Sequence, residues 1–235
     1  MTMTKRKLKT VSGYLYINLP DQLNEITIGQ LIELQERPDL NDVEAISILS
    51  GIAVEELKNV SNMDDFRVFG DIVSSLSHQI THLYNSDAIP EYITFNNDKT
   101  NRKVKVIYNL SVEPAGAFMA ARDIIAEEIN IQKAKHGEDN FSGHFNPSLK
   151  ACCQVLAQYF YCKVTGKKYN EYEAEEFCAE IKKLRVTEAL PIAKYFFTCY
   201  PSLSKPKTSY WRRARLHWKN VPGYNRLKNS NTSTR

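Results

Sequence analysis

His78 and His82 stand four residues apart with Asp71 on the same helical face, the spacing at which two imidazoles and a carboxylate share a zinc ion. No Glu follows either histidine in the HExxH manner and no third strong ligand lies nearby, so a solvated polar face accounts for the pair and no metal is assigned. His136, Glu138, Asp139 and His144 gather in a run with two glycines, where an active-site loop would also be at home. Neither a nucleophile nor a second carboxylate pair accompanies them, and an ordinary surface loop has the same composition. Cys152, Cys153, Cys162, Cys178 and Cys199 are odd in number and contain no CxxC; small core residues in a reducing compartment are expected. No GxxxxGK, GxGxxG or GxSxG occurs. The expectation is a protein that is not an enzyme, with no catalytic residue and no cofactor.

The segment 210–219 carries different chemistry. Trp211 and Trp218, both tryptophans of the chain, are seven apart and share a face if the segment is helical, with Arg212, Arg215 and Lys219 at three-and-four spacing and Arg213 between them. Aromatic faces stack on bases and guanidiniums hold phosphates. Trp and Arg are equally the residues enriched at protein interfaces. Three readings stay open at this point: a protein partner, a nucleic acid or membrane surface, or docking onto the chain's own acidic body.

That acidic body emerges once charge is divided by position. Residues 1–9 carry four basic side chains and 204–235 carry nine, neither with any acid, which leaves 18 basic against 27 acidic groups over 10–203. A body at −9 between ends totalling +13 is a stronger signal than the overall +4, and points to an acidic partner, a phosphate backbone or the chain's own acidic surface. The organisation expected is a basic segment 1–9, a body 10–203 and a basic arm 204–235. The longest nearly apolar run, 45–54, is far short of the roughly 20 residues of a membrane span. No cleavable leader is read at the N-terminus.

Local signals supply the elements. Residues 14–19 alternate like a short strand ending at Pro20. Thr27 with Gln30, and Asn41 with Glu44, are capping-box pairs, and Gly51 is a helix stop. Phe66, Phe69, Val73, Leu76, Ile80 and Leu83 form one apolar stripe on a longer helix. Residues 91–95 and 103–108 read as a hairpin around a turn at 96–101. Pro114 starts a helix to about residue 135; Asn146 with Pro147 is read as the cap and first residue of a very apolar helix. Asn170 opens a helix acidic at its start and basic at its end, and Thr187 caps a last one with Pro191 in its first turn. The fold class expected is mainly α: a multi-helix globular body with one small β-hairpin near 91–108 and a short N-terminal strand.

Two blocks carry a resemblance. "ITIGQLIELQE" followed by "DVEAISILSGIAVEEL", and "LAQYFYCKVTGKKYNEYEAEEFCAEIKKLRVTEALPIAKYFF", resemble structural and assembly proteins of tailed bacteriophages, in particular the tail assembly chaperone-like proteins of phages that infect Bacteroidetes. The resemblance loosely spans residues 26–197 and rests on packing and capping patterns, so it brings no catalytic residue. It implies a morphogenesis or virion protein that binds tail, neck or capsid components in the host cytoplasm during assembly, or stays in the particle. The alternative reading is a nucleic-acid-binding protein that uses the arm at Trp211, Arg212, Arg213, Arg215, Trp218 and Lys219.

Overall fold

Thr27 and Asn41 each open a helix through the reciprocal bonds that their spacing predicts. Thr27 Oγ1 accepts from the Gln30 amide while Gln30 Oε1 accepts from the Thr27 amide, and Asn41 and Glu44 repeat the exchange. These caps start α1 (Ile28–Glu36) and α2 (Asp42–Ser50), and Gly51 ends α2 at φ +72°, a conformation that favours glycine. Gln30 also donates to the Ile48 and Leu49 carbonyls, so one side chain caps the start of α1 and the end of α2.

The computed structural model describes residues 4–37, 39–61, 64–80, 82–83, 88–97, 100–107, 113–136 and 145–199. They form a mainly helical fold with two small antiparallel hairpins. Strand β1 (Thr4–Thr10) pairs with β2 (Gly13–Leu19). A 3-10 turn at Leu23–Glu25 leads into α1 and α2, then α3 (Val54–Lys58) and α4 (Asp64–Ile80). Strands β3 (Tyr92–Asn97) and β4 (Thr100–Lys105) form the second hairpin. Helices α5 (Ala115–His136), α6 (Leu149–Thr165), α7 (Glu171–Glu176), α8 (Cys178–Ile181) and α9 (Val186–Cys199) complete the elements of the described residues.

Helix α6 is the centre. Its residues are buried around nearly the whole circumference, as expected of a helix without a polar face, and α1, α5, α7, α8 and α9 pack on it. Segments far apart in the sequence close this core: Ile28 and Val186 amides donate to the Leu184 and Ile26 carbonyls, both at 2.9 Å. Gly29 makes that approach possible, since a Cβ there would lie 3.0 Å from the Lys182 carbonyl oxygen and 3.1 Å from its Cβ.

Several expectations are corrected. The strand at 14–19 does not stand alone; β1 pairs with it. Its partner escapes notice because Leu8 is the one strongly apolar side chain of β1, buried at 2% exposure among exposed lysines. The cap of α6 is Ser148 rather than Asn146, and Leu149 is the first helical residue. Ser148 Oγ accepts from the Ala151 amide, while Glu128 of α5 does what a residue at the third helical position would do in a local box: it accepts from the Ser148 amide and hydroxyl at 2.8 and 2.9 Å. Asn170 caps α7 as expected, and a single turn residue, Phe177, separates α7 from α8, its carbonyl accepting from the Glu180 amide at i→i+3 spacing as well as from the Ile181 amide at i→i+4. Helix α9 starts at Val186, ahead of Thr187, so Pro191 lies in its interior, where it cannot donate to the Thr187 carbonyl. The strands of the second hairpin extend to Asn97 and begin again at Thr100, so the expected turn is shorter than 96–101. Tyr108 lies outside the described residues, as does 201–235.

Candidate functional site

Antiparallel pairing places Lys5, Lys7 and Lys9 opposite Asn18, Tyr16 and Tyr14. Directly opposed residues share a face, so these six side chains form one surface of the first hairpin, and all are exposed. Alternate residues of a strand are about 7 Å apart, which spaces the three ammonium groups in a row. Lys7 Nζ lies 3.9 Å from the centroid of the Tyr14 ring and 5.7 Å from that of Tyr16, and the two rings are 63% and 69% exposed. None of the three lysines forms an ion pair among the described residues.

The opposite face explains why the surface is held firmly. Leu8, Ile17 and Leu19 are buried there in the core. The Val11 amide donates to the Asn59 carbonyl at 3.1 Å and the Ser61 amide to the Lys9 carbonyl at 2.9 Å, tying the hairpin to the segment after α3. Val11, at the turn, is 85% exposed. What the arrangement can do is attract negative charge over a distance and offer two tyrosine faces for close contact.

The second hairpin repeats the device in smaller form. Tyr92 opposes Lys105 and Thr94 opposes Lys103 on its exposed face, with Lys103 Nζ 4.4 Å over the Tyr92 ring. Here Glu91 lies 3.9 Å from Lys105, so its positive charge is partly offset. Its inner face seats Ile93, Phe95 and Val104 in the core, and both backbone groups of Ile107 bond to the Tyr159 hydroxyl of α6 at 2.6 and 2.7 Å.

The residues singled out in sequence fall elsewhere. Trp211, Arg212, Arg213, Arg215, Trp218 and Lys219 lie outside the described residues, as do Glu138, Asp139 and His144. His78 and His82 are exposed at the end of α4 with ring centroids 5.7 Å apart, and among the described residues no group of three or more His, Cys, Asp and Glu side chains converges to hold a metal ion. Cys152 and Cys153 are buried in α6, as expected of core residues, and Cys162 and Cys178 are half-buried. The Lys-x-Lys-x-Lys and Tyr-x-Tyr alternations around Ser12-Gly13 were the available sign of the hairpin face; their period of two is visible only when charged residues are counted like apolar ones.

No helix among the described residues is long and apolar enough to cross a membrane. No family profile, curated protein or solved structure matches this chain.

Proposed function

We propose that this chain is a non-enzymatic bacteriophage morphogenesis or virion protein that works by binding another macromolecule. The observation that carries the binding half of the reading is the row of Lys5, Lys7 and Lys9 beside Tyr14 and Tyr16 on an anchored hairpin. An acidic partner is steered to the lysines by long-range attraction and repelled by the body, whose acids outnumber its bases over 10–203. Contact then falls to the two tyrosines, which offer large amphipathic faces at low entropic cost. The phage half rests on the two resembling blocks, which the backbone bonds between Ile26–Ile28 and Leu184–Val186 bring together in one core. In this reading the arm at Trp211, Arg212, Arg213, Arg215, Trp218 and Lys219 supplies a second contact.

Affinity purification of the tagged full chain from infected cells, with mass spectrometry of the captured proteins and of mature particles, tests the reading. A tail, neck or capsid component is the expected catch. Capture of nucleic acid alone, or of no phage protein at all, contradicts it.

Nucleic-acid binding is the second reading, and the same hairpin face favours it, since a two-stranded ribbon fits a DNA major groove and lysines neutralise phosphates. Salt separates the two. Affinity for duplex DNA falls by about 0.9 log units per log unit of salt for each phosphate neutralised, whereas a contact built on tyrosine burial changes far less.

A further inference from the structure

Cys178, the first residue of α8, lies against Cys153 in the first half of α6, 25 positions earlier. Cys153 Sγ lies 3.5 Å from the Cys178 carbonyl oxygen, and Cys178 Sγ lies 4.0 Å from the Cys153 carbonyl oxygen. The contacts are reciprocal, so each sulfur sits beside the other residue's backbone. The pair is not sealed in the core: both cysteines line a cleft of about 620 Å³ between α1, α5, α6 and α7. Cys153 is buried and Cys178 is half-buried, so a reagent entering the cleft meets Cys178 first.

We propose that Cys153 and Cys178 form a reversible thiol–disulfide site, in which small uncharged disulfides entering the cleft react first at Cys178 and leave a Cys153–Cys178 disulfide. In the first step the Cys178 thiolate attacks one sulfur of R–S–S–R, forming Cys178–S–S–R and releasing one thiolate, which takes up a proton. The Cys153 thiol then loses its proton and attacks the Cys178 sulfur, expelling the second R–S⁻, which is protonated in turn. Two protein thiols are oxidised by two electrons and one external disulfide is reduced to two thiols.

Electrostatics favours this division of labour. The Cys178 thiol is held below its ordinary range, first by the neighbouring Cys153 thiol, against the effect of burial, with the Lys182 ammonium adding to the fall and Glu175 opposing it. The neighbouring Cys178, together with burial, pushes Cys153 up, which suits a thiol that acts second. Glu36 from α1, Glu127 from α5 and Glu175 from α7 also face the cleft, against Lys150 and Lys182. That acid excess is the reason an uncharged disulfide is favoured over an anionic one. Cys152, next in the chain, is an internal control: burial and the Glu128 carboxylate push its thiol up, and it lies in the core.

The test uses the reduced full chain, exposed to bis(2-hydroxyethyl) disulfide in steps and mapped by tandem mass spectrometry after alkylation. The expected product is a Cys153–Cys178 link that forms before Cys152, Cys162 or Cys199 is modified and that dithiothreitol reverses. In Cys153→Ser the mixed disulfide should remain trapped on Cys178; in Cys178→Ser, Cys153 should stay unmodified. Cys152→Ser should leave the link intact. No linked peptide in the wild-type chain, a link through another cysteine, or Cys178 reacting no faster than Cys162 would overturn the proposal, and the wild-type map decides even if a variant fails to fold.

Discussion

Glu128→Ala should lower the stability of this fold by about 3 kcal/mol, because Glu128 closes the cap of the central helix from a neighbouring helix. The residue is 6% exposed, and its carboxylate accepts three hydrogen bonds: from the Ser148 amide at 2.8 Å, the Ser148 hydroxyl at 2.9 Å and Gln132 Nε2 at 2.9 Å. Bonds to a charged group contribute about 1.5–3 kcal/mol each, and a buried amide left without a partner costs about 1–3 kcal/mol. Against these stands the cost of burying the carboxylate itself, several kcal/mol, which alanine removes. Ser148 keeps its own bond from the Ala151 amide, so the helix start is weakened rather than lost. The net of about 3 kcal/mol corresponds to a Tm lower by about 6–12 °C in a domain of this size. Glu128→Gln retains an acceptor for the Ser148 amide and should cost only about 1 kcal/mol. Thermal melts followed by far-UV circular dichroism, with urea titrations as a second measure, report both values. A Tm for Glu128→Ala within about 2 °C of wild type would refute the reasoning, since desolvation would then cancel all three bonds.

Gly116→Ala should destabilise although alanine is the better helix former by about 1 kcal/mol. The added Cβ would lie 2.6 Å from Tyr169 Cε1, and that ring is held by its hydroxyl bond to Gln158 Oε1, so overpacking of about 1–3 kcal/mol prevails; a raised Tm would contradict this. Acid should weaken the Glu173 network: bonds from Lys167 and Tyr161 hold the Glu173 carboxyl below its ordinary range. A folded-state value below the unfolded one gives stability that is full above the ordinary Glu range and lost as pH falls through the folded value. Glu173→Gln should flatten that part of the stability curve, and an unchanged acid limb would argue against it. Deleting 204–235 should leave the Tm within about 2 °C while weakening partner association, with Trp211→Ala and Trp218→Ala together accounting for most of the loss, as hot-spot aromatics do at about 2 kcal/mol or more each. A large drop in Tm with unchanged binding would make the segment a structural strap.

The parts of the fold legible in the sequence are those whose partners lie within four residues. Thr27 with Gln30, Asn41 with Glu44, Asn170 and Gly51 are determined by local geometry, and the structure places each as its spacing predicts. The apolar stripe of α4 is likewise a local pattern, and Phe69 and Leu76 are buried. Much of what escaped depends on distant partners, while the start of α9 ahead of Thr187 and the shorter turn of the second hairpin are local misses. The pairing of β1 needs β2, the Ser148 cap of α6 is completed by Glu128, 20 residues earlier, and Cys178 meets Cys153 across 25 positions. The candidate surface is an intermediate case. Its lysines were visible as a basic segment, but their alignment with Tyr14 and Tyr16 follows from hairpin register, which a one-residue slip would undo.

The central claim is that the lysine and tyrosine face of the first hairpin docks an acidic macromolecule. Recovery of phage proteins from infected cells should therefore be compared between the wild-type chain and Lys5→Gln/Lys7→Gln/Lys9→Gln at equal expression. These side chains are exposed and carry no ion pair among the described residues, so the variant should melt within about 2 °C of wild type. Three interfacial charges worth about 0.2–1 kcal/mol each should lower partner recovery roughly tenfold, mainly by slowing association. Undiminished recovery by a variant that folds normally would contradict the account.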